Sequence, residues 1–181
     1  AWEAVKTRNF QRLYAAGCLF SFSQTMLVIH LAPYAVENGM PLTSAGFMMG
    51  LAGFSCLIGR LGSGGPLAKL GSTKILILSN LLMSSVAILI ILFKDPSSLY
   101  VLSIIFGLSW GSWAPQLVII LYRRFGMKAL GSILGVYDTF FGVGGMAGPS
   151  IGGYIRDVSG TYSSAFLLAA GSTALAVVPI R

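Results

Sequence analysis

The stretch ILILSNLLMSSVAILIILF, residues 75–93, carries no charge and is flanked by Lys74 on one side and Lys94-Asp95-Pro96 on the other. A helix of this length matches the roughly 20 apolar residues that carry a chain across hydrocarbon. Working outward with the same criterion, runs bounded by charge, Gly or Pro predict six membrane spans, near residues 13–36, 43–62, 75–93, 98–122, 130–155 and 163–181. The connections between them, such as Glu37-Asn38-Gly39-Met40-Pro41, are short, as antiparallel neighbours in a helix bundle require. No room is left for a soluble domain, so the expected architecture is all-α and integral to the membrane.

Composition agrees with that reading. Of 181 residues, 55% are hydrophobic and only 9% charged, and the mean hydropathy is +0.82, whereas a soluble domain carries about 25% charged residues. The net charge of +7 would suggest nucleic acid in a soluble protein, but the placement of the basic residues gives another account. Lys6, Arg8, Arg12, Arg60, Lys69, Lys74, Arg123, Arg124, Lys128 and Arg181 fall on one side of the six-span arrangement; Lys94 and Arg156 fall on the other. Cytoplasmic loops are enriched in Lys and Arg, so both termini are expected in the cytoplasm of a plasma- or inner-membrane protein. The positive charge is thus topological, and nucleic acid is not an expected partner. The first span is too long for a cleaved signal peptide and contains Gln24 and His30; residues 1–12 read as an amphipathic lead-in. Cys18 and Cys56 both lie in apolar runs and there is one histidine, so neither a disulfide framework nor a metal site is expected, and no cofactor is implied.

Glycine spacing predicts how the helices pack, because close approach through small residues holds bundles together in lipid. The fifth span carries Gly131, Gly135, Gly142 and Gly145 on one stripe and Gly144, Gly148 and Gly152 on another, so contacts on two sides are expected. The fourth carries Gly107, Gly111 and then Pro115, where a kink is expected.

Three local patterns resemble one family. Gly64-Gly65-Pro66-Leu67-Ala68-Lys69-Leu70-Gly71, after the second span, resembles the signature loop of the major facilitator superfamily. Gly144, Gly148, Pro149, Gly152 and Gly153 resemble the Gly-Pro motif that this superfamily places in the fifth helix of a six-helix half. Val28-Ile29-His30-Leu31-Ala32-Pro33-Tyr34-Ala35, Gly59-Arg60, Phe106-Gly107-Leu108-Ser109-Trp110-Gly111 and Gly160-Thr161-Tyr162 together resemble the carboxyl-terminal half of monocarboxylate and oxalate/formate-type transporters. Ala68 stands where the loop signature normally has an acid, and Cys56 where the monocarboxylate branch commonly has an Asp, so neither residue's family role carries over. The fourth span lacks the arginine usual in the amino-terminal half. The resemblance implies half of a twelve-helix transporter, built as a 3+3 repeat, and therefore a piece of a longer chain that pairs with an amino-terminal six-helix half.

Ionisable residues within spans are functional candidates by default: here His30, Arg60 and Asp138. Counted from span centres at 1.5 Å per residue, Arg60 lies roughly 9 Å and Asp138 roughly 6 Å to the cytoplasmic side of the midplane, and His30 roughly 9 Å to the outer side. Arg60 shares a stripe with Gly53, Cys56, Ser63 and Gly64, so it points into the protein or a cavity, where a guanidinium can hold a carboxylate bidentately; the plainer reading is an arginine that snorkels to the interface. Asp138 can exchange a coupling proton, form a gate pair with Arg60 or a basic residue of the other half, or make a structural pair. Lys69, in the signature loop, joins Arg60 and Asp138 as a coupling or gating candidate. His30 is either a substrate or proton ligand or a hydrogen-bonded helix contact. Trp110, Trp113 and Gln116 share a stripe that either walls a small-solute cavity or packs. Tyr14, Gln24, Tyr137 and Tyr154 are read as bundle hydrogen bonding.

The expected function is therefore that of a secondary transporter half, not an enzyme, moving a small organic anion such as a monocarboxylate with a coupling proton or counter-anion. A partner-dependent or nonfunctional half-transporter, or a passive channel or pore, is the alternative, although no repeated filter or acidic ring is present. An intramembrane serine protease would need a Gly-x-Ser-Gly elbow, and Ser109 is followed by Trp110.

Overall fold

The computed structural model describes residues 5–180, with all side chains among them except those of Pro66, Ala68, Lys128, Ala129 and Phe140. Arg181 and the first four residues of the expected lead-in lie outside the described residues. Six long helices follow one another: α1 (Arg8–Glu37), α2 (Leu42–Gly64), α3 (Ser72–Leu92), α4 (Pro96–Phe125), α5 (Met127–Ser159) and α6 (Ser163–Ile180), with a short 3-10 turn, Pro66–Leu70, between α2 and α3. α1, α2, α3, α4 and α6 are each long and apolar enough to cross a membrane. α5 has the length, 33 residues, but its glycines and Asp138 dilute the apolar run, so its place among the spans comes from its packing against α1 and α6. The chain is a multi-pass, all-α membrane protein.

Local chemistry explains where these helices begin and end. Thr7 caps α1 by accepting the Phe10 N–H, and Asp95 caps α4 by accepting the Ser98 N–H at 2.9 Å, with Pro96 supplying the preset first-turn backbone. α5 stops at Gly160, whose left-handed backbone (φ 72°) lets its N–H return to the Arg156 carbonyl. α4 runs through Pro115 as one continuous helix of 30 residues.

The helix contacts follow an exchange rule. α1 packs on α5 and α6; α4 packs on α2 and α3; α3 and α6 pack on each other. Swapping the first three helices with the last three maps each of these pairs onto another or onto itself. α3 and α6 form the back of the bundle, joined by Ser84 Oγ donating to the Ala170 carbonyl at 2.9 Å. Ser23 of α1 donates to the Ala169 carbonyl of α6 at 2.6 Å, and Tyr34 to the Ile90 carbonyl of α3 at 3.0 Å. Hydroxyl-to-backbone bonds of this kind tie helices together in an apolar solvent.

The Asp95 cap makes a pH-dependent prediction. The Ser98 N–H holds the Asp95 carboxyl below the ordinary carboxylate value. A group whose pKa falls on folding contributes stability above its unfolded pKa and loses it as pH drops through the folded one. Asp95→Ala is therefore expected to lower the thermal midpoint at neutral pH, with the difference from wild type shrinking as pH is taken down through the carboxylate range. Differential scanning fluorimetry across that range checks it.

Candidate functional site

A cleft of about 390 Å3 opens on the face made by α1, α2, α4 and α5. Phe20, Gln24 and Thr25 come from α1, Arg60 from α2, Trp110, Trp113, Ala114 and Leu117 from α4, and Tyr137, Asp138 and Phe141 from α5. α3 and α6 contribute nothing to it. Glycine sets the width of this face. Cβ atoms at Gly107 and Gly111 would collide with the Ala52 and Cys56 carbonyls of α2, and at Gly144 and Gly148 with the Cys18 and Phe22 carbonyls of α1. With hydrogen at those positions, α4 lies directly on α2 and α5 on α1, so Arg60 and the two tryptophans come to one cleft.

One wall of the cleft is aromatic. The Phe20 and Trp113 rings stack with centroids 4.5 Å apart at 8°, and the Tyr137 ring follows at 6.2 Å from Trp113. Three polar atoms on cleft residues are buried without a hydrogen-bond partner among the described residues: Gln24 Oε1, Trp113 Nε1 and Tyr137 OH. Each such atom costs about 1–3 kcal/mol if nothing pairs with it, which is unusual for a surface built only for packing. Arg60 and Asp138 are exposed on the same cleft, and among the described residues neither side chain is engaged in an ion pair or hydrogen bond. Chemically, the cleft offers one planar cation, one carboxylate, an aromatic wall and unpaired donors and an acceptor.

The other candidates stand elsewhere. Gln116 is buried and donates through Nε2 to the Ser63 carbonyl at 2.7 Å, so it ties α4 to α2 instead of walling the cleft. His30 is buried at the α1–α5 contact: its Nε2 donates to the Pro149 carbonyl at 2.9 Å, its ring lies against Gly152, and the Tyr162 ring is 5.2 Å away. Lys69 is exposed on the 3-10 turn and does not line the cleft. Gly144, Gly148, Pro149 and Gly152 all meet α1, the first two through backbone and the last two through His30. The other α5 stripe differs from expectation. Gly131, Gly135 and Gly142 have nothing near enough among the described residues to touch a Cβ, and of this stripe only Gly145 meets neighbours, Ser21 and Thr25 of α1. The Asp138 stripe thus looks outward from this bundle, because α1 occupies only one side of α5. Gln24 and Tyr137 are the residues whose place at the cleft sequence reasoning missed; Phe20 and Gln24, one turn apart on α1, were the available signal.

At the end of the bundle where α1 and α5 finish, Glu37 and Arg156 pair, with Arg156 Nη2 donating to Glu37 Oε1 at 2.7 Å. This partner raises the Arg156 pKa above its ordinary value. The pair joins the ends of α1 and α5.

A transmembrane bundle with a charged, aromatic-walled cleft and exchange-related helix triplets has the form of a solute carrier of the major facilitator type. The sequence model of the Major Facilitator Superfamily matches residues 13–180, and the chain belongs to that superfamily. It is similar to Monocarboxylate transporter 13 of Bos taurus, 28% identical over 94% of this chain and 42% of the relative. It is also similar to Monocarboxylate transporter 11 of Homo sapiens, 30% identical over 90% of this chain and 36% of the relative, and to Monocarboxylate transporter 7 of Homo sapiens, 28% identical over 83% and 29%. The chain therefore spans less than half the length of these curated relatives.

Proposed function

We propose that this chain is the carboxyl-terminal six-helix half of a twelve-helix secondary transporter that carries a small organic anion, such as a monocarboxylate, across the plasma or inner membrane by alternating access. The observation that carries the reading is Arg60, exposed on the 390 Å3 cleft that Trp110 also lines, and without an ion-pair partner among the described residues. A guanidinium and a carboxylate at membrane depth do not face hydrocarbon without large cost, so the α1–α2–α4–α5 face belongs against another element. An amino-terminal half placed there encloses the cleft between two bundles, at the repeat interface where secondary transporters bind substrate. The exchange-related packing of the two helix triplets supports the 3+3 construction.

In this reading Arg60 binds the substrate carboxylate, and Trp110 and Trp113 shape the apolar side of the site. Tyr137 and Gln24 supply further polar contacts. Asp138 is the coupling or gating group: it takes and releases a proton as the cavity alternates, or pairs with Arg60 or with a basic residue of the other half when the substrate is absent. His30 and Gln116 hold helices together and are left out of the site. Lys69 and both termini lie on the cytoplasmic side.

The test is uptake of radiolabelled lactate into vesicles containing the complete protein, with and without an imposed pH gradient. Saturable uptake and exchange with unlabelled lactate are expected. Asp138→Asn is expected to retain exchange but to lose acceleration by the pH gradient. Uptake linear in concentration would sink the carrier reading and leave a pore.

A further inference from the structure

A second cavity, of about 330 Å3, lies at the end of the bundle where α3 begins and α4 ends. Ser72, Thr73 and Lys74 of α3 and Ile120, Arg123 and Arg124 of α4 line it. Topology alone accounts for basic residues at this end of the bundle. It does not account for their convergence from two helices on one cavity. Among the described residues none of the three cations has a carboxylate partner: Glu37, Asp95 and Asp157 sit at the opposite end of the bundle, and Asp138 faces the other cleft. Ser72 adds a hydroxyl donor on the same cavity. Its residue is only 9% exposed and lines the cavity, yet its hydroxyl makes no hydrogen bond among the described residues. Gly71 precedes α3 without a side-chain cap, so the first α3 amides also lack an internal acceptor.

We propose that this cavity is a phosphate-oxyanion site, formed by Lys74, Arg123 and Arg124 with the Ser72 hydroxyl. Guanidinium groups match phosphate oxygens bidentately, an ammonium adds a point charge, and the hydroxyl and first-turn amides donate to the remaining oxygens. Two spanning helices emerge from the membrane here and Ile120 lends the cavity an apolar side, which suits the headgroup phosphate of an anionic phospholipid; basic pockets between helices at this depth hold such headgroups. A free phosphate offers the same chemistry. The assignment is independent of the transport reading.

Native mass spectrometry of the complete protein, released from nanodiscs of equimolar phosphatidylcholine and phosphatidylglycerol, tests it. One phosphatidylglycerol is expected to survive on each chain under activation that strips the rest. Arg123→Gln with Arg124→Gln is expected to weaken its retention about thirtyfold, from about fivefold per cation. Arg8→Gln with Arg12→Gln removes the same charge from the same end and is expected to leave that lipid in place. Ser72→Ala changes no charge and is expected to weaken retention severalfold, which keeps the test decisive should the double variant fail to insert. Inorganic phosphate titrated by calorimetry into the protein in detergent separates the sources: binding that the Arg123/Arg124 variant abolishes marks a free-anion site, and lipid retention without phosphate binding marks a headgroup site. Equal loss in both double variants, or no change in Ser72→Ala and the Arg123/Arg124 variant, overturns the proposal.

Discussion

Arg60→Lys in the complete protein is expected to raise the KM for lactate about tenfold, the equivalent of about 1.4 kcal/mol, with the amount of protein in the membrane unchanged. Lysine keeps the charge, so topology and long-range attraction are preserved. It loses the planar fork, and with it one of two parallel charge-assisted hydrogen bonds to a carboxylate. Arg60→Gln is expected to lose a further tenfold or more, because a hydrogen bond to a charged group contributes about 1.5–3 kcal/mol and the cleft then holds no cation. The exposure of Arg60 on a cleft, without a partner among the described residues, is what makes the site rather than the fold the place where the loss is felt. Initial-rate uptake combined with surface biotinylation separates the two. If Arg60→Lys transports with an unchanged KM, the arginine serves only as a topological anchor and the substrate site lies elsewhere.

How far the sequence foretells this site depends on the kind of signal each residue carries. Arg60 and Asp138 are conspicuous because charge inside an apolar run has few explanations, and both line the cleft. Trp110 is conspicuous by depth, near the middle of its span, since membrane tryptophans favour interfaces, and Trp113 shares its stripe. His30 and Gln116 look equivalent in sequence but spend their donors on the Pro149 and Ser63 carbonyls. Whether a polar side chain serves a ligand or a neighbouring backbone depends on the rotation of two helices about each other, which no single run of residues encodes. Tyr137 and Gln24 show the converse: neither is charged, both are buried, and the absence of partners for Tyr137 OH and Gln24 Oε1 among the described residues becomes visible only in three dimensions. The fold itself is far more legible, because span length, loop brevity and charge are all one-dimensional properties. Even there α5 is ambiguous, since the glycines that let it pack on α1 also lower its apolarity.

The same glycines give the second large effect. Gly111→Ala and Gly148→Ala are each expected to destabilise the complete protein by about 2–3 kcal/mol, at the upper end of overpacking costs, and to reduce its folded yield in membranes. At both positions the added methyl meets a backbone carbonyl, of Cys56 and Phe22 respectively. A carbonyl in a helix cannot rotate away as a side chain can, so relief requires that α4 lift off α2, or α5 off α1. Either movement drags one wall of the cleft outward: Trp110 and Trp113 from Arg60 in the first case, Tyr137 and Asp138 from Phe20 in the second. Transport per folded molecule should therefore fall along with stability. Gly171→Ala on α6 is the control, because nothing lies within reach of its Cβ and α6 takes no part in the cleft; there the gain in helix propensity, up to about 1 kcal/mol, should leave the protein as stable as before or slightly more so. Thermal unfolding in detergent, followed by fluorescence-detected size exclusion, resolves differences of this size. Equal midpoints for Gly111→Ala, Gly148→Ala and Gly171→Ala would mean that the helices pack less closely than the two carbonyl contacts require, and that something other than glycine sets the width of the cleft.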